Sequence, residues 1–318
     1  MTEQARQAPA LLEDLTKALE GRYVVGEPIG FGRGGLTVRA RRVSSGRNVA
    51  LKVAWEDRNA RAQVLRETAL TAKVKHKNVL PMRSIDALER LLVVEMPLAV
   101  GTADDLIEVG APVPFDQVVQ MMTAAANALD EAHAGGIVHG GLHPAKLLID
   151  EKNECLISDF SLRVPQVSAR DVAKPSTVGT PAYTPMEQRR DQRGVDGRID
   201  QFALAVIAYE MLRGRRTWSV NDAGALEIEP VQISSSRPIA PGVPLSASLA
   251  IKRATSREAN FRYKTVSDFA RGLSDASAQS VASEQIYRSE PKVLKRRSPL
   301  WIVMILGALV VAWYFSRV

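Results

Sequence analysis

The chain has 318 residues, 46% of them apolar and 24% charged, with a formal net charge of +7 and a single cysteine. That length allows one two-lobed domain or two ordinary ones, and that balance excludes a disordered chain. The lone Cys155 excludes an internal disulfide and fits a reducing compartment. The basic residues are scattered, without zinc-ligand spacing or an aromatic–basic platform, so no nucleic-acid partner is expected.

At the N-terminus, Leu11, Leu12, Leu15 and Leu19 recur at helical spacing. Residues 9–20 are therefore expected to form a short amphipathic helix, within an extension over residues 1–21. Glu3, Glu13, Asp14 and Glu20 flank only short apolar pieces, and no secretion signal is expected. Tyr23-Val24-Val25 reads as a strand leading into Ile29-Gly30-Phe31-Gly32-Arg33-Gly34-Gly35, and Leu36-Thr37-Val38 follows with strand-like alternation. Glycines at 30, 32 and 35 let a hairpin backbone approach phosphate oxygens without side-chain obstruction. A plain glycine-rich turn fits these residues equally well. A dinucleotide-binding unit would need a helix directly after the glycines, whereas the alternation continues to Arg42.

Val49-Ala50-Leu51-Lys52 is the next strand, and the helical stretch from Arg58 to Lys73 carries Glu67 ahead of His76-Lys77-Asn78-Val79-Leu80. Leu91-Leu92-Val93-Val94-Glu95-Met96-Pro97 is a further apolar strand. Ile137-Val138 leads into His139-Gly140-Gly141-Leu142-His143-Pro144-Ala145-Lys146, and Leu147-Leu148-Ile149 follows. Cys155 lies in an apolar run and is read as a buried structural thiol. Ser158-Asp159-Phe160-Ser161 comes after the strand at Leu156-Ile157. Then come Gly179-Thr180-Pro181-Ala182-Tyr183-Thr184-Pro185-Met186-Glu187-Gln188, a segment opening Arg198-Ile199-Asp200-Gln201, and Asn260-Phe261-Arg262-Tyr263.

Taken together, in this order and at this spacing, these stretches resemble the bacterial serine/threonine protein kinase family over about residues 22–274. The resemblance implies an α+β, bilobal protein-kinase-like fold, with a β-rich lobe over about 22–96 and a mainly helical lobe after it. It implies ATP and Mg²⁺ as cofactors. The nucleotide positions it assigns are Gly30, Gly32, Gly35, Thr37, Ala50, Lys52, Glu67, Val94, Glu95 and Lys146, with Asp159 as the Mg²⁺ ligand. Lys52 would reach the phosphates and pair with Glu67, Val94 would be the gatekeeper, and Glu95 would begin the hinge. The hinge amide that donates to the adenine ring falls at Pro97, which has no N–H. Loss of that bond costs about 1 kcal/mol, so weakened nucleotide affinity is expected. Glu187 would pair with Arg262, and Asp200 would tie back to the backbone of the 139–146 loop.

That loop departs from the family pattern H-R-D-L-K-P-x-N. Gly140 replaces the Arg, Gly141 the Asp, His143 the Lys and Lys146 the Asn. The family's Asp accepts or orients the substrate hydroxyl proton, and its Asn helps hold a second Mg²⁺. Loss of a positioned base commonly costs about 10²–10⁴ in rate. No catalytic residue is assigned with assurance, and His143 stands as a substitute base. Gly140 also removes the Arg that clamps an activation-loop phosphate, although Ser168, Ser176 and Thr177 remain available for modification. The expected function is a pseudokinase, a nucleotide-binding or scaffolding signalling module with unnamed protein partners. The alternative is a divergent active serine/threonine kinase that transfers the ATP γ-phosphate.

Residues 275–298 are rich in Ser, Ala, Gln and Glu and read as a flexible linker, basic at Lys292, Lys295, Arg296 and Arg297. From Leu300 to Phe315 no charged residue occurs, and Trp301, Trp313 and Tyr314 sit where interfacial anchors would. A transmembrane helix over 299–316 is expected, and a buried core helix is the competing reading. With more basic residues before the segment than after it, the kinase-like domain is expected in the cytoplasm of a single-pass cell-membrane protein, with the membrane as a partner and no external domain.

Overall fold

The computed structural model describes residues 12–32, 35–54, 58–88, 91–160, 180–190, 196–221 and 225–275. The first lobe is a five-stranded antiparallel sheet in the order β1-β2-β3-β5-β4. Its strands are β1 (Tyr23–Gly32), β2 (Gly35–Arg42), β3 (Asn48–Ala54), β4 (Ser84–Ala87) and β5 (Leu92–Pro97). Side chains along a strand alternate between faces, so each strand divides its residues between two cores. Leu36, Val38, Leu51, Val53 and Val93 face outward and bury Leu15 and Leu19 of the segment containing α1 (12–18). Each such leucine contributes about 1.5–3 kcal/mol of burial. The opposite face presents Ala50, Ala54, Leu92, Val94 and Met96, packed with Val64 of α2 (Arg58–Thr71) and with Leu156.

The second lobe is built on α4 (Phe115–Ala134) and α6 (Arg198–Arg213). Most of α6 is buried, from Ile199 through Leu212, which makes it a core helix rather than a surface one. Around it lie α3 (Ala103–Glu108), α5 (Met186–Arg190), α7 (Leu245–Ala254) and α8 (266–275). A small sheet, β6-β7-β8, comprises β6 (Gly101–Thr102), β7 (Leu147–Ile149) and β8 (Cys155–Ile157). A hairpin of β9 (Trp218–Val220) and β10 (Leu226–Ile228) follows α6. Cys155 is buried and reduced, and burial pushes its thiol up to about 12.

One part of the expected fold class is corrected. Among the described residues no helix is long and apolar enough to cross a membrane. The expected span at 299–316 lies outside the described residues. The longest described helix, α4, buries an apolar stripe in the protein core and carries Asp116, Asp130 and Glu131 elsewhere. The membrane anchor, the membrane as partner and the single-pass localisation are accordingly withdrawn.

Candidate nucleotide site and its altered loop

The site starts from strand register. Gly30 lies opposite Thr37, Thr37 opposite Lys52, and Lys52 opposite Val94, which makes one row across four strands. Parity puts Lys52 on the same face as Ala50 and Ala54, toward α2. Gly35 has φ of +121° and stands so close to Val53 that a Cβ would run into the Val53 carbonyl, so only glycine fits there. Gly32 ends β1, and residues 33–34 between the two strands lie outside the described residues.

Lys52 Nζ donates to Glu67 Oε2 at 2.7 Å and to Asp159 Oδ1 at 2.9 Å. Gln63 steadies the other Glu67 oxygen at 2.9 Å. All three members of the triad are largely shielded from water. Burial pulls the Lys52 ammonium down, but Asp159 and Glu67 outweigh it and hold its pKa above the ordinary lysine value. Thr71 Oγ1, which donates to the Glu67 carbonyl at 2.8 Å, accepts the Phe160 N–H at 3.3 Å. Helix α2 is thereby tied to the backbone just after Asp159.

The 139–146 loop is anchored from beneath by Asp200, which is 1% exposed. Its Oδ2 lies 2.7 Å from His133 Nε2 and accepts the His139 N–H at 2.9 Å, while Oδ1 accepts the Gly140 N–H at 2.9 Å. His139 Nδ1 accepts the Gly141 N–H at 3.3 Å, which makes its Nε2 the donor to the Ser158 carbonyl at 2.9 Å. Burial holds this imidazole below the ordinary histidine value, and Phe160 packs against it with ring centroids 5.2 Å apart. Gly140 adopts φ of +70°, which a side chain would strain. Nothing lies within 4 Å of where a Gly141 Cβ would stand. The loop is thus held through its backbone, with no side chain at Gly140 or Gly141.

Lys146 closes a short 3₁₀ turn (Pro144–Lys146) and enters β7. Because Leu147 pairs with Ile157, Lys146 stands across from Ser158, whose N–H donates to the Lys146 carbonyl at 3.1 Å. That places the Lys146 ammonium on Asp159 Oδ2, the oxygen Lys52 leaves free. Burial pushes the Asp159 carboxyl up, but Lys146 and Lys52 overcome it and hold the pKa well below the usual carboxylate range. Asp159 also sits at φ of +60°, an uncommon conformation for a non-glycine residue.

The charges at this donor set disfavour magnesium. Both Asp159 oxygens already accept from ammonium groups, and among the described residues no cluster of three His, Cys, Asp or Glu could hold a metal ion. A cation about 4 Å from Lys146 would meet repulsion of roughly 4 kcal/mol per unit charge product at an effective dielectric of 20.

Glu95 lies between the inward-facing Val94 and Met96, so its side chain points to the outer face. There its carboxylate accepts from the Tyr23 hydroxyl at 2.6 Å and from Arg42, and its carbonyl accepts the Arg83 N–H at 2.8 Å. His143 is half-buried beside Tyr183, ring centroids 6.5 Å apart, and desolvation with the Lys146 charge pushes its pKa down to about 3. A base that weak is a poor proton acceptor at neutral pH.

Glu187 pairs with Arg262 at 2.6 and 3.2 Å. Gln188 Nε2 donates to the Gly140 carbonyl at 2.9 Å, a support for the loop that the sequence reading missed. Also missed was Glu210, which accepts from Tyr183 at 2.8 Å and from the Thr217 N–H at 2.6 Å. A second carboxylate, after Asp200, within the apolar α6 sequence was the available signal, since such a group must find buried partners. Ser161, Ser168, Ser176 and Thr177 lie outside the described residues.

The bilobal α+β fold, the Lys52–Glu67–Asp159 cluster and the Asp200-anchored loop define a protein-kinase-like domain. The sequence matches the protein kinase domain family over residues 23–280, and the chain belongs to that family. It is 30% identical over 272 residues to serine/threonine-protein kinase Pkn1 of Myxococcus xanthus, covering 79% of this chain and 38% of that protein. It is 25% identical over 240 residues to serine/threonine-protein kinase PknH of Mycobacterium bovis, covering 74% and 40%. A plant relative, CBL-interacting protein kinase 11 of Oryza sativa, is 30% identical over 203 residues, covering 62% and 40%. The matched region spans about two fifths of the length of these curated relatives.

Proposed function

We propose that this kinase-family domain is a pseudokinase, a nucleotide-binding or scaffolding signalling module that does not transfer phosphate at a kinase's rate. The observation that carries the reading is the Lys146–Asp159 ion pair beside a Gly141 that offers no carboxylate. The proton acceptor is missing and the family's metal-binding acid is neutralised, while Lys52 and Glu67 keep the pairing that positions a phosphate-binding lysine. On this reading Gly30, Gly32, Gly35, Lys52 and Lys146 hold the phosphates of ATP, and Thr37, Ala50 and Val94 line the rest of the pocket. Pro97 at the end of β5 supplies no N–H to the base, which leaves the phosphates to carry more of the affinity.

The competing reading is a divergent active kinase with His143 as base, and the intact Lys52–Glu67 pair favours it. The weak basicity of the His143 ring counts against it. The test is the purified chain with labelled ATP and Mg²⁺ or Mn²⁺. No transfer is expected, and transfer that disappears in Lys52→Ala overturns the pseudokinase reading.

A further inference from the structure

We infer that the site takes a nucleoside triphosphate without a divalent cation, the Lys146 ammonium standing where a metal would otherwise neutralise phosphate charge. The inference rests on the nucleotide-binding reading above. Its basis is the charge of the cluster at the site. The ammonium groups of Lys52 and Lys146 and the carboxylates of Glu67 and Asp159 cancel one another, and all four are linked by direct ion pairs. With a neutral residue at 146 the same cluster would carry one net negative charge, and a polyanionic ligand would need an added cation to enter. With Lys146 that requirement is removed.

The pairing also closes the metal's entrance. A divalent ion at Asp159 would have to share the carboxylate with two ammonium donors, each bonded to a different oxygen, against their charge. Lys146 is 28% exposed at its side chain against 15% for Asp159, so it is the more open member of the pair to an incoming ligand. Its stem is fixed by the 3₁₀ turn and by the Ser158 N–H on its carbonyl, so the charge is held in place by the fold. The metal and the lysine therefore compete for one position, and a mutation at 146 should convert one mode of binding into the other.

The experiment is a thermal-shift and calorimetric titration of the full chain with ATP, once in EDTA and once in excess MgCl₂. The wild type is expected to bind ATP in EDTA, with Mg²⁺ leaving the affinity unchanged or weakening it. Lys146→Asn is expected to bind at least about fivefold more tightly with Mg²⁺ than without, the lower end of ordinary coupling between two ligands. Wild-type affinity raised about fivefold or more by Mg²⁺ would overturn the inference while leaving nucleotide binding intact. A Lys146→Asn variant still indifferent to Mg²⁺ would overturn the role given to Lys146. Absence of any ATP-dependent stabilisation in either buffer would instead overturn the nucleotide-binding reading beneath it.

Discussion

The Gly140 N–H donates to Asp200 Oδ1 at 2.9 Å, and through this bond the core helix α6 fixes the 139–146 loop. Asp200 accepts on its other oxygen from His139 N–H and lies against His133, so three groups of the second lobe depend on one buried carboxylate. Asp200→Ala would leave two buried backbone N–H groups without an acceptor. A loss of about 3 kcal/mol or more is expected in urea unfolding of the purified chain. Asp200→Asn keeps one acceptor oxygen and should lose roughly half as much. Equal, negligible losses for both would show that the loop is held by other contacts, the Gln188 amide on the Gly140 carbonyl foremost.

Asp159 is paired twice, which predicts a specific non-additivity. In Lys52→Ala the carboxylate still has Lys146, and in Lys146→Ala it still has Lys52. Each single change is expected to cost about 1–2 kcal/mol, whereas the double change strands a buried charge at positive φ. The double variant should exceed the sum of the singles by about 1–3 kcal/mol in a mutant cycle, and simple additivity would contradict the triad.

How much of this was legible in the sequence depends on which contacts follow from period and which from register. Gly30, Thr37, Lys52 and Val94 were legible through the family resemblance, and the strand register then brings them into one row. Alternation along β5 sends the Glu95 side chain outward between Val94 and Met96, which leaves its backbone for the hinge role that the resemblance implies. Lys146 and Asp159 were each noticed, but assigned separately to phosphate and metal. Their contact depends on the pairing of Leu147 with Ile157, and nothing local in the sequence sets that register. The Tyr183–Glu210 bond joins residues on different elements and was equally out of reach. At the C-terminus an apolar run with flanking aromatic and basic residues suggested a span; it lies outside the described residues, among which no helix is long and apolar enough to cross a membrane.

His143 provides a test by pH. Its pKa in the fold is near 3, against about 6.5 for an unfolded histidine. The folded value is the lower one, so the stability it contributes is fully present above about pH 6.5. Between pH 6.5 and 3 the unfolded chain takes up a proton that the folded chain refuses, and stability falls as pH falls. His139 is lowered in the same direction by burial and adds to the decline. His143→Gln should flatten the wild-type slope across this window by up to about 1.4 kcal/mol per pH unit at its steepest. Guanidinium unfolding at several pH values reads this directly. An unchanged slope would mean the ring is solvated and titrates normally.

The last prediction concerns restoring what the loop lacks. Nothing within 4 Å opposes a Cβ at Gly141, so Gly141→Asp should fold with near wild-type stability, within about 0.5–1 kcal/mol. Alone it should gain little, because a carboxylate there would share the site with a metal-excluding Lys146. Joined to Lys146→Asn, it supplies a proton acceptor and frees one oxygen of Asp159. The double variant is expected to transfer phosphate to a generic protein substrate at least about 10²-fold faster than wild type, the lower bound for a positioned base. Each single variant should fall short of that gain, since metal and base act as one unit. Measured with labelled ATP and Mg²⁺, a double variant no faster than wild type would locate the block elsewhere. Gly140 would then be the next position to examine, because its positive φ leaves the loop without the family's Arg and resists its reintroduction.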